Sequence, residues 1–203
     1  MVTPRNAQFA QALAAALFAF ERKEFEDAVH HFDEALEIMP EDSDVWNARG
    51  VALEQLGRHE EALASYEHAL EIRPDDANAW SNRGIAYLKL FAQQVEQAEF
   101  DSARRYWKKA LESGKRSADR DWPDVVAEAL LQVAKSGRFV FIRQLIAESD
   151  LEEQLFPLAR AIDYLQTSDT ALIEKLSPEV KGIVEKVVET LRTVTQDAAV
   201  PQA

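Results

Sequence analysis

Residues 28–40 read AVHHFDEALEIMP, and residues 62–74 read ALASYEHALEIRP. Ala28, Phe32, Ala35 and Pro40 return as Ala62, Tyr66, Ala69 and Pro74, each shifted by 34 residues. The stretch that follows repeats at the same interval: Trp46, Gly50 and Leu53 return as Trp80, Gly84 and Tyr87. A fixed interval of this length marks a stack of similar supersecondary units, and each position in it has a physical reason. A small residue at Gly50 or Ala62 lets two helices approach closely. The aromatic at Phe32 or Tyr66 fills the wedge between units. Pro40 and Pro74 end a helix, because proline cannot continue the backbone ladder. Gly57 falls where a helix terminus favours glycine.

The order Trp, Gly, aromatic, then Ala, aromatic, then Pro resembles the tetratricopeptide repeat. The resemblance spans residues 9–114, as repeats over about 9–42, 43–76 and 77–114 after an N-terminal tail over 1–8. The first repeat departs from the pattern, with Ala12, Ala16 and Ala19 at the Trp, Gly and Tyr positions. In the third, Ala103, Trp107 and Ala110 match the second helix but arrive seven residues late. Seven residues are about two helical turns, so the apolar face drifts by only about 20°. Tyr87, Phe91, Val95 and Ala98 keep helical spacing across the insertion. The first helix of repeat three is therefore expected to continue through Phe91–Gln97 as a protruding stub.

Residues 121–196 show helical periodicity without the repeat. Asp121 with Pro123 opens a helix bearing Val126, Leu130 and Val133, which Ser136-Gly137 ends. Phe141, Ile142, Leu145 and Ile146 follow at helix spacing. Leu151, Leu155, Leu158, Ile162 and Leu165 form another stripe, with Pro157 marking a kink or break. Ser177-Pro178-Glu179 opens a last helix carrying Val180, Val184, Val187 and Leu191, and a disordered tail is expected over 197–203. The resulting expectation is an all-α chain: a right-handed superhelical array of about three helix-turn-helix repeats, followed by a C-terminal helical bundle or cap. That half is read as cover for the array or as a second binding domain.

Composition narrows function. The net charge of −13 disfavours nucleic acid, whose phosphates need a basic surface. No apolar run approaches the roughly 20 residues of a membrane-spanning helix. Ala12–Phe20 is short enough for a secretory core, but no small-residue cleavage site follows it. With no cysteine, disulfides and thiolate sites are excluded, which is compatible with a reducing compartment without demanding one. A cytoplasmic location is the expectation. Neither a phosphate loop nor a nucleophile elbow is present. His59-Glu60 starts like a zinc-protease motif, but Leu63 stands where the second histidine belongs. His30 and His31, beside Asp33 and Glu34, read as a solvated face. No catalytic, cofactor or metal residue is assigned.

What the resemblance implies is protein binding, not catalysis. In that family successive first helices line a groove for a partner peptide or amphipathic helix. By register the groove ladder is Leu13, Asn47 and Ser81, then Leu17, Val51 and Ile85, then Phe20, Glu54 and Leu88. Leu13, Leu17, Ala48, Asn78 and Asn82 occupy the places of the cationic clamp that grips chaperone tails, so that adaptor class is disfavoured. The charge is also divided: residues 1–76 carry −11, while residues 77–120 carry +4. Arg104, Arg105, Lys108, Lys109, Lys115, Arg116 and Arg120 form a basic patch. Self-association of acidic and basic surfaces, with a homo-oligomer as product, is the alternative to an adaptor or scaffold. An enzyme with its site in the C-terminal half is a third reading that no constellation supports.

Overall fold

The computed structural model describes residues 4–134 and 136–198. Among them every regular element is an α-helix. These are α1 (Pro4–Glu21), α2 (Phe25–Ile38), α3 (Ser43–Gln55), α4 (His59–Ile72), α5 (Ala77–Glu96), α6 (Phe100–Ser117), α7 (Trp122–Ala134), α8 (Phe139–Ala147), α9 (Phe156–Thr167), α10 (Ala171–Glu174) and α11 (Pro178–Ala198). They form two compact units. Unit 1 runs through Leu90 and from Tyr106 to Asp119; unit 2 runs from Phe91 to Arg105 and from Arg120 onward.

Unit 1 repeats its contacts as the sequence repeats its residues. The indole N–H of Trp46 donates to the Pro40 carbonyl at 2.7 Å, and that of Trp80 to the Pro74 carbonyl at 2.8 Å. Each proline thus ends one helix and leaves a carbonyl that anchors the next. Asp42 accepts from the Val45 N–H at 3.1 Å, and Asp76 from the Ala79 N–H at 3.2 Å, capping α3 and α5. A Cβ built on Gly50 would lie 2.5 Å from the Tyr66 ring, so the close approach of α3 and α4 requires glycine there. Ala28, Phe32, Ala35, Ala62, Tyr66, Ala69 and Trp107 are buried, as the repeat pattern requires.

The turns inside the repeats share one geometry that glycine marks in only one of them. Lys23, Gly57 and Ala98 all have positive φ, at 62°, 72° and 62°. The residue after each donates to the carbonyl five positions back: Glu24 to Ala19 at 2.9 Å, Arg58 to Leu53 at 3.0 Å, and Glu99 to Gln94 at 2.8 Å. This is the left-handed helix end that satisfies otherwise unpaired carbonyls. Lys23 and Ala98 adopt it despite a Cβ, because the helices on both sides are held by packing.

In unit 2 the extension of α5 through Glu96 is present but does not protrude. Phe91 and Val95 are buried at 0% and 1% exposure, so the expected stub is covered. The tips of α5 and α6 thus belong to unit 2. At the start of α6, Phe100 meets Phe141 of α8 with ring centroids 5.0 Å apart. Gly137, at φ 69°, joins α7 to α8 through another left-handed turn. The leucine stripe is divided: α9 starts at Phe156 with Pro157 in its first turn, so Pro157 opens a helix and Leu151 lies outside it. Leu155, Leu158 and Ile162 are buried, as are Val184, Val188 and Leu191 of α11. The one-turn helix α10 carries no sequence signal strong enough to expect it. Pro4–Gln8, read as a tail, are the first residues of α1. Asp197 and Ala198 continue α11, and the remainder of the expected C-terminal tail lies outside the described residues.

Candidate partner-binding groove

The nine ladder residues all lie in unit 1, on α1, α3 and α5, and the structure grades them by availability. Leu17 is 48% exposed, and Leu13, Val51 and Ile85 are half-buried. Phe20 is half-buried and meets Phe25 edge-on, with centroids 5.4 Å apart. Leu88 is only 3% exposed and serves the core, so it is not a surface rung. Sequence spacing identifies a helix face but does not say how deep the neighbouring helix reaches.

Polar contacts join α3 to α5. The Asn82 amide donates to the Asn47 amide oxygen at 3.0 Å. One turn and more along, Glu54 is held by Lys89 at 2.6 Å and by His59 Nδ1 at 2.9 Å, with its side chain 7% exposed. A buried carboxylate is costly unless paired, and these contacts supply the pairing. Glu54 is thus a fastener between helices, not a rung open to solvent. The Ser81 hydroxyl donates to Asp119 at 3.4 Å. Asn78 and Asn82, at two of the clamp positions, are neutral; the Asn78 backbone N–H is spent on Asp76.

Behind this face, each arginine of the repeats meets a different environment. Arg49 donates to Asp33 at 2.6 Å and to the Ser65 hydroxyl at 2.7 Å. Arg83, its equivalent 34 residues on, donates to Ser113 at 3.2 Å and lies 4.1 Å from the Trp80 ring centroid. Arg116 lies 4.7 Å from the same ring, and Lys109 5.2 Å from that of Tyr87. Such cation–ring contacts suit guanidinium over indole. Burial and the nearby Glu67 push the Tyr87 hydroxyl up to about 12.

The basic patch divides between the units. Lys108, Lys109, Lys115 and Arg116 belong to unit 1; Arg104, Arg105 and Arg120 belong to unit 2. Arg104 is engaged by Glu148 and lies near the Phe141 ring, and Arg105 donates to Ser102 at 2.9 Å. Sequence reasoning groups the seven because they are close in the chain, and it misses the carboxylate of Glu148.

The described residues bring His30, His31 and Glu34 together, with potential ligand atoms within 4.8 Å of one another. Glu34 is engaged by His31 Nδ1 at 2.8 Å and faces His30 Nε2 at 3.5 Å. The His31 hydrogen bond, opposed by slight desolvation and aided by the charge of His30, lowers the Glu34 pKa. The cluster lies on α2, and Glu34 is satisfied by the two histidines.

Comparison with known proteins agrees with the repeat geometry. A family model described as tetratricopeptide repeat matches residues 31–64, and one described as TPR repeat matches residues 53–90. No curated protein matches the chain in sequence. Among solved structures, MamA protein is 13% identical, over 93% of this chain and 91% of that one, with a TM-score of 0.51. The Sgt2 TPR domain from Aspergillus fumigatus is 22% identical, over 67% of this chain and 83% of that one, with a TM-score of 0.46. At 13% identity the likeness to MamA protein speaks for fold only. No described helix is long and apolar enough to cross a membrane. With its Trp–Pro anchors, its Gly50–Tyr66 contact and the two repeat models that match within it, the segment over residues 31–90 is built of tetratricopeptide repeats.

Proposed function

We propose that unit 1 is a non-enzymatic protein-binding module that takes an amphipathic helix or apolar peptide of a partner along α1, α3 and α5, and so acts as an adaptor or scaffold. The observation that carries the proposal is the row Leu17, Val51 and Ile85. These are aliphatic side chains at equivalent places on successive first helices, left half-buried or exposed by their own chain. An apolar stripe of this kind accepts the apolar face of an incoming segment, and the Asn47–Asn82 amide pair beside it offers hydrogen bonds to a backbone. None of the clamp positions carries a cation, so a terminal carboxylate is not the anchor in this reading.

The test is the pair of substitutions Val51→Asp and Ile85→Asp, each placing a charge on the stripe. Loss of partner in affinity capture, with the helical circular dichroism signal retained, supports the groove. Full recovery of the same partner from both variants removes it.

A further inference from the structure

The charge of the second helices reverses between repeats at matching positions. Ala62, Tyr66 and Ala69 correspond to Ala103, Trp107 and Ala110 with a shift of 41 residues. In that register Asp33 and Glu67 correspond to Lys108; Glu34 and His68 to Lys109; Glu41 and Asp75 to Arg116. The same places on the repeat are therefore acidic or neutral in the first two copies and basic in the third. Among the described residues neither Lys108 nor Lys109 forms an ion pair, and both are exposed. Arg83 beside them is half-buried and meets a hydroxyl and ring faces, whereas its equivalent Arg49 has the carboxylate of Asp33.

The acidic side offers a shaped receptacle. A cleft of about 410 Å³ between α1 and α2 is lined by Ala12, Ala15, Ile38, Glu34 and Glu37, with His31 and two glutamines at its margins. Its aliphatic part suits the methylene stem of a lysine, and the Glu37 carboxylate suits the ammonium head, Glu34 being held by His31 and His30. Glu37 and the nearby Glu41 are exposed, and no described cation pairs with either.

We propose that the α6 face of unit 1, through Lys108 and Lys109, docks the acidic α1–α2 cleft of a second copy of this chain. The occupant is chosen by complementarity: one chain carries both the two exposed cations without a carboxylate partner among the described residues and the acidic cleft, at equal stoichiometry. Because the two surfaces differ, the contact is heterologous, and it closes into a ring or extends head to tail. It is a contact of charged, solvent-facing groups, so it weakens as the screening length falls from about 10 Å at 0.1 M salt to about 3 Å at 1 M. The docking surface is separate from the groove proposed above, and neither depends on the other.

Sedimentation velocity of the full chain across protein concentration, at low and high salt, tests this directly. The wild type is expected to exceed the 22.9 kDa of a single chain at low salt and to return to it at high salt. Lys108→Glu with Lys109→Glu, and separately Glu37→Lys with Glu41→Lys, should each weaken self-association at least about tenfold. Glu37 lies in the last turn of α2, where a cation suits the helix dipole, and Glu41 is exposed in the turn beyond it, so the fold should persist. Mixing the two variants should restore a heterologous complex, which a merely unfolded variant would not do. A wild type that is monomeric at every concentration and salt overturns the proposal. So does a monomer that instead binds poly-glutamate through Lys108 and Lys109, since that assigns the face to a different acidic chain.

Discussion

Gly50→Ala is the substitution that most sharply tests how the repeats are packed. The added methyl would sit 2.5 Å from Cε1, 2.8 Å from Cδ1 and 2.9 Å from Cζ of Tyr66, against 3.4–4 Å for ordinary contact. The ring must therefore withdraw by about 1 Å, and Tyr66 is 1% exposed in a close-packed interior. Overpacking of this kind costs about 1–3 kcal/mol. Replacing a mid-helix glycine by alanine contributes about 1 kcal/mol in the other direction. The clash involves backbone-fixed atoms and a rigid ring, so it wins, and a net loss of about 1–2 kcal/mol is expected in urea denaturation followed by circular dichroism. A double-mutant cycle isolates the cause: in a Tyr66→Ala background the clash is gone, and Gly50→Ala should become neutral or stabilising. Gly182 in α11 has nothing within 4 Å of a built Cβ, so alanine there should stabilise by up to about 1 kcal/mol. A Gly50→Ala chain as stable as the wild type, with Tyr66 in place, would refute the close-approach account of the repeat.

Ala98→Gly and Lys23→Gly relieve a left-handed backbone and should each stabilise the fold in urea denaturation, by up to about 1 kcal/mol after the entropic cost of glycine. Asp76→Asn should destabilise at neutral pH, because Asp76 caps α5 through Ala79 and Asn78 and pairs with Arg73. Burial works against the Asp76 charge, but Arg73 and the two backbone N–H groups outweigh it and lower the pKa. A lowered folded pKa means stability that is full above the ordinary carboxylate range and lost as pH falls through the folded value. The wild type should lose this increment in acid, and the Asn variant should lack that part of the pH dependence. Truncation after Asp119 removes the partners of Phe91 and Val95 within unit 2, each worth about 1.5–3 kcal/mol when buried. The fragment should aggregate or melt without cooperativity, and a stable monomeric fragment would contradict the assignment of the α5 extension to unit 2.

The sequence announces some of these features and conceals others for definite reasons. The 34-residue echo of Trp, Gly, Ala and Pro exposes the repeats because each residue performs the same contact twice, as the Trp46–Pro40 and Trp80–Pro74 bonds show. The turn at Gly57 is legible, while those at Lys23 and Ala98 are not. Packing holds them left-handed without the residue that usually marks that conformation. Helical periodicity through Phe91 and Val95 foretells a long α5 but not its burial, since the covering segments lack a repeat to align. Leu88 and Glu54 show the same limit within the groove: register names the face, and only packing decides that one is core and the other fastened by Lys89 and His59.

The central claim is that a partner lies against Leu17, Val51 and Ile85. A photo-crosslinking amino acid placed singly at Leu17, Val51 or Ile85, and as a control at the exposed Gln144 of unit 2, tests it in the source cell. A discrete protein adduct from all three groove positions, absent from the control, is the expected result. Adducts of equal yield from the control position, or none from the groove in chains whose helical signal is intact, would contradict the account.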